Sequence, residues 1–180
     1  ANLSNANLRD ADLRNADLFD TDLRNADLRN ADLFDTDLSI ANLHNAVLSN
    51  ANLRDANLSK ANLSKVNLFN ADLRIADLSE AFLSGTFLGD AFLSSANFRN
   101  TILLATDLRN VRNLTVSQLT GYTPPLLCNS PLPAGIDIGE GKDRDCEQMA
   151  AVLRARYPGL FKTLEAAEAF VEEGRQKVWE

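Results

Sequence analysis

The sequence predicts an all-β solenoid closed by a small α-helical cap, and three observations carry that prediction. A five-residue period runs from residue 1 to residue 110 without a gap. Its central position is Leu in 21 of 22 units and Phe98 in the remaining one. All five Pro and six of the eight Gly fall after residue 110, leaving only Gly85 and Gly89 inside the repeat. The chain therefore divides into a solenoid over 1–110, a Pro- and Gly-rich connector over 111–142, and a helical cap over 143–180.

Within each unit the residue types alternate sharply. The first position is Ala in 16 units, Thr in five and Val66 in one; the second is Asp in nine and Asn in eight, with Val47, Phe82, Phe87, Phe92 and Ile102 in the others. A five-residue step suits neither regular element. On an α-helix each Leu would advance by about 140° and wind the apolar row around the surface, and a straight strand would send successive Leu to opposite faces. Both failures vanish if the chain turns after every unit and closes into a coil. Ala and Leu, two apart on a short extended segment, then point inward together, and the residue between them points out. Layers at the interstrand spacing of about 4.8 Å pair their backbone groups with one another, so the interior needs no polar partner.

These units, Ala1-Asn2-Leu3-Ser4-Asn5 and Ala11-Asp12-Leu13-Arg14-Asn15 among them, resemble the pentapeptide-repeat proteins over residues 1–110. The resemblance implies a right-handed quadrilateral β-helix with four units per coil, so that the 22 units make about 5.5 coils and roughly 25 Å of length.

The connector carries Pro124-Pro125, Pro131 and Pro133, with one short helix expected around Thr115 to Leu119. Two longer helices follow. Cys146, Met149, Ala150, Leu153 and Tyr157 recur at helical spacing after Asp143 or Asp145 as N-cap, and Pro158-Gly159 supplies a stop. Thr163 caps a second helix on which Leu164, Ala167, Phe170 and Val171 share a face. A stacked coil leaves its last layer exposed, and these helices are expected to cover it.

Cys128 and Cys146 lie 18 positions apart with no His nearby, too few ligands for zinc. They read as a disulfide, the alternative being two buried thiols; a bond would place the chain in an oxidising compartment. The segments Pro124-Pro125-Leu126-Leu127-Cys128-Asn129 and Arg144-Asp145-Cys146-Glu147-Gln148 resemble the C-terminal part of pentapeptide-repeat proteins of the thylakoid lumen in plants and cyanobacteria. That resemblance implies a lumenal location after removal of a targeting sequence. It brings no agreed activity.

The formal net charge of -7 disfavours binding to nucleic acid or to an anionic membrane surface, since both need a basic face. No stretch approaches the ~18 apolar residues of a membrane span, and the N-terminus lacks the basic-then-apolar layout of a signal peptide. Some members of the resembled family imitate duplex DNA and inhibit gyrase. Here residues 1–110 hold 15 acidic and 10 basic residues, a net of -5 where the same length of DNA carries about 15 charges. The pairs Asp12/Arg14, Asp22/Arg24, Asp27/Arg29, Asp72/Arg74 and Asp107/Arg109 are placed to neutralise one another. Under four-sided stacking Asp12 lies over Asp32 and Asp17 over Asp37, and Asn52 and Asn57 extend those columns into amide and carboxylate ladders.

Phe82, Phe87 and Phe92 occupy the outward position in three consecutive units, and Ile102 lies one coil beyond Phe82. Such an apolar belt is either covered by the C-terminal segment or presented to a protein partner. Phe19, Phe34 and Phe69 read as scattered surface aromatics. No catalytic constellation, cofactor motif or metal-ligand set is present in the sequence: His44 is expected to face outward between Leu43 and Asn45, and the narrow interior leaves no substrate pocket. The sequence therefore reads as a noncatalytic scaffold or protein-interaction module of unknown partner. A DNA-mimicking inhibitor of a topoisomerase such as gyrase is the alternative.

Overall fold

A computed structural model describes residues 1–139 and 143–179. Second-position residues pair in parallel with those 20 further on, from Asn2 with Asp22 through to Phe92 with Arg112. Nearly all of these pairs share backbone bonds in both directions, as where Leu3 N–H donates to the Asp22 carbonyl at 2.7 Å and Asp22 N–H to that of Ala1 at 2.9 Å. Four units thus make one turn of the coil. From the second coil onward the Ala and Leu side chains are buried in one continuous core, while Leu3, Leu8 and Leu13 of the first coil are partly buried against it.

What bends the chain is a left-handed residue at the fifth position of each unit. Ala6 N–H closes a turn on the Leu3 carbonyl at 3.1 Å, and Asn5 between them has φ of 60°. The same sign recurs at all 21 fifth positions from 5 to 105, with φ between 50° and 66°. Thirteen of these are Asn or Asp, the side chains that tolerate this region best after Gly. Ile75 is the poorest fit, β-branched at φ of 66° and 51% exposed. Ile75→Asn should therefore stabilise the fold by about 1 kcal/mol by relieving strain with little loss of burial. Chemical denaturation tests this, and an unchanged or lower midpoint would show that Ile75 is unstrained.

The second position has a purpose beyond facing water. In all 17 units where it is Asp or Asn, its Oδ1 accepts the backbone N–H two residues on, at 2.9 to 3.2 Å. This local bond satisfies a donor that the turn would otherwise leave without a protein partner. Thr at the first position is equally specific: the Thr36, Thr86 and Thr101 hydroxyls donate to the Leu13, Leu63 and Leu78 carbonyls of the preceding coil at 2.8, 2.8 and 2.7 Å.

The period breaks after Arg112. Strand β1, Ile102–Leu104, pairs in parallel with β2, Leu126–Cys128, an offset of 24 instead of 20. The extra length accommodates helix α1, Val116–Leu119. Gln118 closes that end, accepting from Thr115 N–H at 2.9 Å and donating to the Leu93 and Ala96 carbonyls at 2.7 and 3.0 Å. The segment expected as an irregular connector thus contributes a strand to the next layer. Residues 140–142, also in that expected connector, lie outside the described residues.

Helices α2, Cys146–Arg156, and α3, Leu164–Arg175, pack on each other and on β1 and β2. Thr163 caps α3, its hydroxyl accepting from Ala166 N–H at 3.2 Å. Asp145 precedes α2 but its carboxylate does not cap it. Oδ2 accepts Leu127 N–H at 2.9 Å and Arg144 Nε at 3.0 Å, and Oδ1 accepts Gln148 Nε2 at 2.7 Å, so Asp145 ties the helix to β2. Asn129 does the same for α3, donating to the Gly174 and Lys177 carbonyls at 2.8 Å each.

Candidate functional site

The four outward apolar residues singled out in the sequence do not form one belt. Each five-residue step moves to the next side of the coil, so Phe82, Phe87 and Phe92 face three different directions, and only Ile102 shares a column with Phe82. Phe82 is 2% exposed and Ile102 fully buried beneath the C-terminal helices. Around the Phe82 ring stand Tyr157, Phe170 and Phe161, with centroids at 5.2, 6.0 and 6.2 Å. The Tyr157 hydroxyl donates to the Glu80 carbonyl beside it. Burial pushes that phenol up to about 12, against the nearby Arg156 charge.

Phe92, on another side, lies under the Arg112 guanidinium at 4.9 Å. Phe87 is 49% exposed and stacks on Phe69, itself 40% exposed, at 6.0 Å and 10° between planes. Phe69 is therefore no isolated surface aromatic. Gly89, one coil beyond Phe69, makes the stack possible, because a Cβ there would stand 3.0 Å from Phe87 Cζ and 3.4 Å from Phe69 Cδ2. Glycine one coil after an outward Phe was a readable signal. It needs the 20-residue coil to be noticed.

Much of the charge on the solenoid is paired within a unit. All five Asp/Arg pairs placed two apart form ion pairs, with Arg14 on Asp12 at 2.6 Å and Arg109 on Asp107 at 2.8 Å. The guanidinium bond, with the backbone N–H of the same Arg, holds the Asp12 and Asp22 carboxyls down to about 2. The columns are ladders: Asn52 and Asn57 donate to Asp32 and Asp37 at 2.8 and 3.2 Å. A further ladder, missed in the sequence, runs through the turn positions, where Asn70, Asn50 and Asn30 donate in turn to Asn50, Asn30 and Asp10 at 3.0, 3.2 and 2.8 Å.

Cys128 ends β2 and Cys146 opens α2, and their sulfurs are bonded, joining the added layer to the helices. Among the described residues no group of three or more His, Cys, Asp and Glu could hold a metal ion, and no helix is long and apolar enough to cross a membrane. His44, between the buried Leu43 and the exposed Asn45, is partly buried, with Nδ1 2.8 Å from Ser64 Oγ.

A chain that stacks 20-residue coils on left-handed Asn and Asp corners around a Leu and Ala core is a β-solenoid of five-residue units. Its residues 1–39, 36–74 and 76–112 match the model of the family described as Pentapeptide repeats, and the chain belongs to that family, whose members fold as right-handed quadrilateral β-helices. Among solved structures it is similar to the pentapeptide repeat protein Rfr23 of the cyanobacterium Cyanothece 51142, at 36% identity over 51% of this chain and 61% of that one, with a TM-score of 0.48. A pentapeptide repeat protein from the Arabidopsis thaliana thylakoid lumen is 30% identical over 61% of this chain and 69% of its own, with a TM-score of 0.39. A trypsin-treated form of QnrB1, described as a plasmid-mediated fluoroquinolone resistance protein, is 25% identical over 74% of this chain and 65% of its own, with a TM-score of 0.53. The chain thus spans about 61 to 69% of these relatives' lengths. No functionally curated protein matches it.

Proposed function

We propose that the chain is a noncatalytic scaffold whose Phe69–Phe87 pair is a contact surface for a protein partner. The observation that carries this is two stacked rings, each close to half exposed, in a column whose Asp27 and Asp107 are ion-paired with Arg29 and Arg109. Aromatic rings held rigid on a β-face contribute contact area at low entropic cost. Phe82 and Ile102 serve instead as the seat of the helical cap. The interior, filled by Leu and Ala, gives no room for a substrate. The Cys128–Cys146 bond supports an oxidising compartment, and with the residues around both cysteines it favours the thylakoid lumen of a chloroplast or cyanobacterium.

Affinity capture from lumen extract tests the reading. Wild-type protein should retain a partner that the double variant Phe69→Asn/Phe87→Asn releases; equal recovery on both would remove the pair as the contact surface. The competing reading, a DNA mimic acting on a topoisomerase, has only the fold shared with QnrB1 in its favour. In a gyrase supercoiling assay we expect no inhibition, and inhibition at submicromolar protein would replace the scaffold by the mimic.

A further inference from the structure

One side of the coil is built by the units of Asp17, Asp37, Asn57, Asp77 and Asn97. It is the side opposite Phe87, because two of the four units in a turn separate Phe87 from Asn97. Phe19 on this side is 51% exposed, and Ile40, at the corner one coil further on, is 46% exposed. Ile75 stands as open at the other corner. Between the corners the fourth position is Ser39, Ser59 and Ser79, side chains too short to interrupt a flat sheet. Apolar side chains gathered on an uncovered polar sheet mark a contact surface.

Charge selects what it contacts. Nine of the 15 acidic residues within 1–110 form ion pairs. The other six, Asp17, Asp20, Asp35, Asp37, Asp77 and Glu80, form none among the described residues, and all six lie on this side or at its corners. Against these six stand two cations, Lys60 and Arg99, so a net of -4 out of the -5 carried by residues 1–110 falls on a single side. Arg156, at the edge, donates to the Asn100 carbonyl and forms no ion pair with the six. A duplex carries its charge around the whole circumference, so a one-sided distribution does not imitate it.

The carboxylates are also held in place. Asp17 Oδ1 accepts Phe19 N–H at 3.0 Å. Asp37 Oδ1 accepts Ser39 N–H at 2.9 Å and Asn57 Nδ2 at 3.2 Å, and Asp77 Oδ1 accepts Ser79 N–H and Asn97 Nδ2, each at 2.9 Å. Oδ2 of each is left without a partner among the described residues. Asp17 and Asp37 are on successive coils, about 5 Å apart, and Asp77 is two coils beyond Asp37, about 10 Å. Three residues of an α-helix advance about 4.5 Å and seven about 10.5 Å, so cations at i, i+3 and i+10 share one helix face and match the column. Same-face side chains of an extended strand repeat at about 6.8 Å and fall out of step with Asp17 and Asp37.

We propose that this side docks a basic amphipathic helix of a partner protein, its Lys and Arg on Asp17, Asp37 and Asp77 and its apolar residues on Phe19 and Ile40. Joined to the reading of the Phe69–Phe87 pair, this makes the solenoid a bridge between two proteins on opposite sides. The docking itself does not depend on that pair, and either can fail without the other.

The probe is an 18-residue fluorescein-labelled peptide of Leu and Lys with its Lys along one helix face, titrated into the full chain by fluorescence anisotropy; a scrambled peptide of the same composition is the control. Asp37→Asn/Asp77→Asn inserts the residue the repeat accepts there, keeps the Oδ1 bonds and should weaken binding about fivefold. Asp12→Asn/Asp72→Asn, the same change of net charge at ion-paired positions of a neighbouring side, should weaken it less than about twofold. Phe19→Ser/Ile40→Asn, again residues usual at those positions, should also cost about fivefold. In amide NMR spectra the Ser39, Ser59 and Ser79 signals should shift on titration and those of Ser49 and Asn67 on the opposite side should not. Equal losses in the two Asp variants, wild-type affinity in Phe19→Ser/Ile40→Asn, equal binding of the scrambled peptide, or shifts centred on another side would each overturn the proposal.

Discussion

Replacing Phe82 with Asn should detach the C-terminal helices while leaving the solenoid folded. Phe82 is the apolar seat of that segment, buried against Tyr157, Phe161 and Phe170. Removing a fully buried ring costs about 3–5 kcal/mol. Asn is nevertheless the residue the repeat favours there. Its Oδ1 can accept Ser84 N–H as in the 17 ordinary units, and Asn62, one coil below, already joins such a ladder. The loss therefore falls on helix docking. Trp179, the single tryptophan, reports on it, since its indole N–H donates to Asn129 Oδ1 at 2.8 Å. Its fluorescence transition in urea should move to lower denaturant, while the β-sheet circular dichroism transition stays near the wild-type midpoint. Phe87→Asn, changing a half-exposed ring, should shift the Trp179 transition little. Equal shifts for the two variants would show that the helices do not depend on the Phe82 seat.

The disulfide should have the second largest effect. It closes a segment 18 residues apart in sequence, between the end of β2 and the start of α2. In the chain-entropy account a loop of that size stabilises by about 3 kcal/mol. Cys128→Ala/Cys146→Ala should again lower the Trp179 transition and spare the repeat, because stacked coils depend chiefly on their neighbours. Reductant added to wild type should reproduce the variant. A midpoint unchanged in both would mean that Asp145 and Asn129 alone hold the helices in place.

These predictions rest on residues of differing legibility. The inward Ala and Leu were plain in the sequence, because a five-residue period imposes the same environment 22 times. The five Asp/Arg pairs were equally plain, being two residues apart. The reason for Asp and Asn at the second position was not. Their outward direction followed from alternation, whereas the bond from Oδ1 to the N–H two residues on depends on a turn whose dihedrals no period states. The fifth position held a further signal, its excess of Asn and Asp, which marks the left-handed corner.

The apolar exceptions divide along the same line. Alternation alone made Phe82, Phe87, Phe92 and Ile102 face outward, but whether they share a side depends on the number of units per coil. Four units per coil separates the first three and unites Phe82 with Ile102. Which of them is covered depends on contacts such as Tyr157 with Glu80, 77 residues apart. By itself, then, the sequence determined the solenoid, its interior and the Asp/Arg pairing on its exterior, because each follows from local bonds and side-chain alternation repeated along the chain. Only the tertiary structure decided that Phe82 is a seat and that Phe69 and Phe87 form a pair. Those arrangements arise from long-range packing of the helices on one side of the coil, and such packing leaves no periodic trace in the chain.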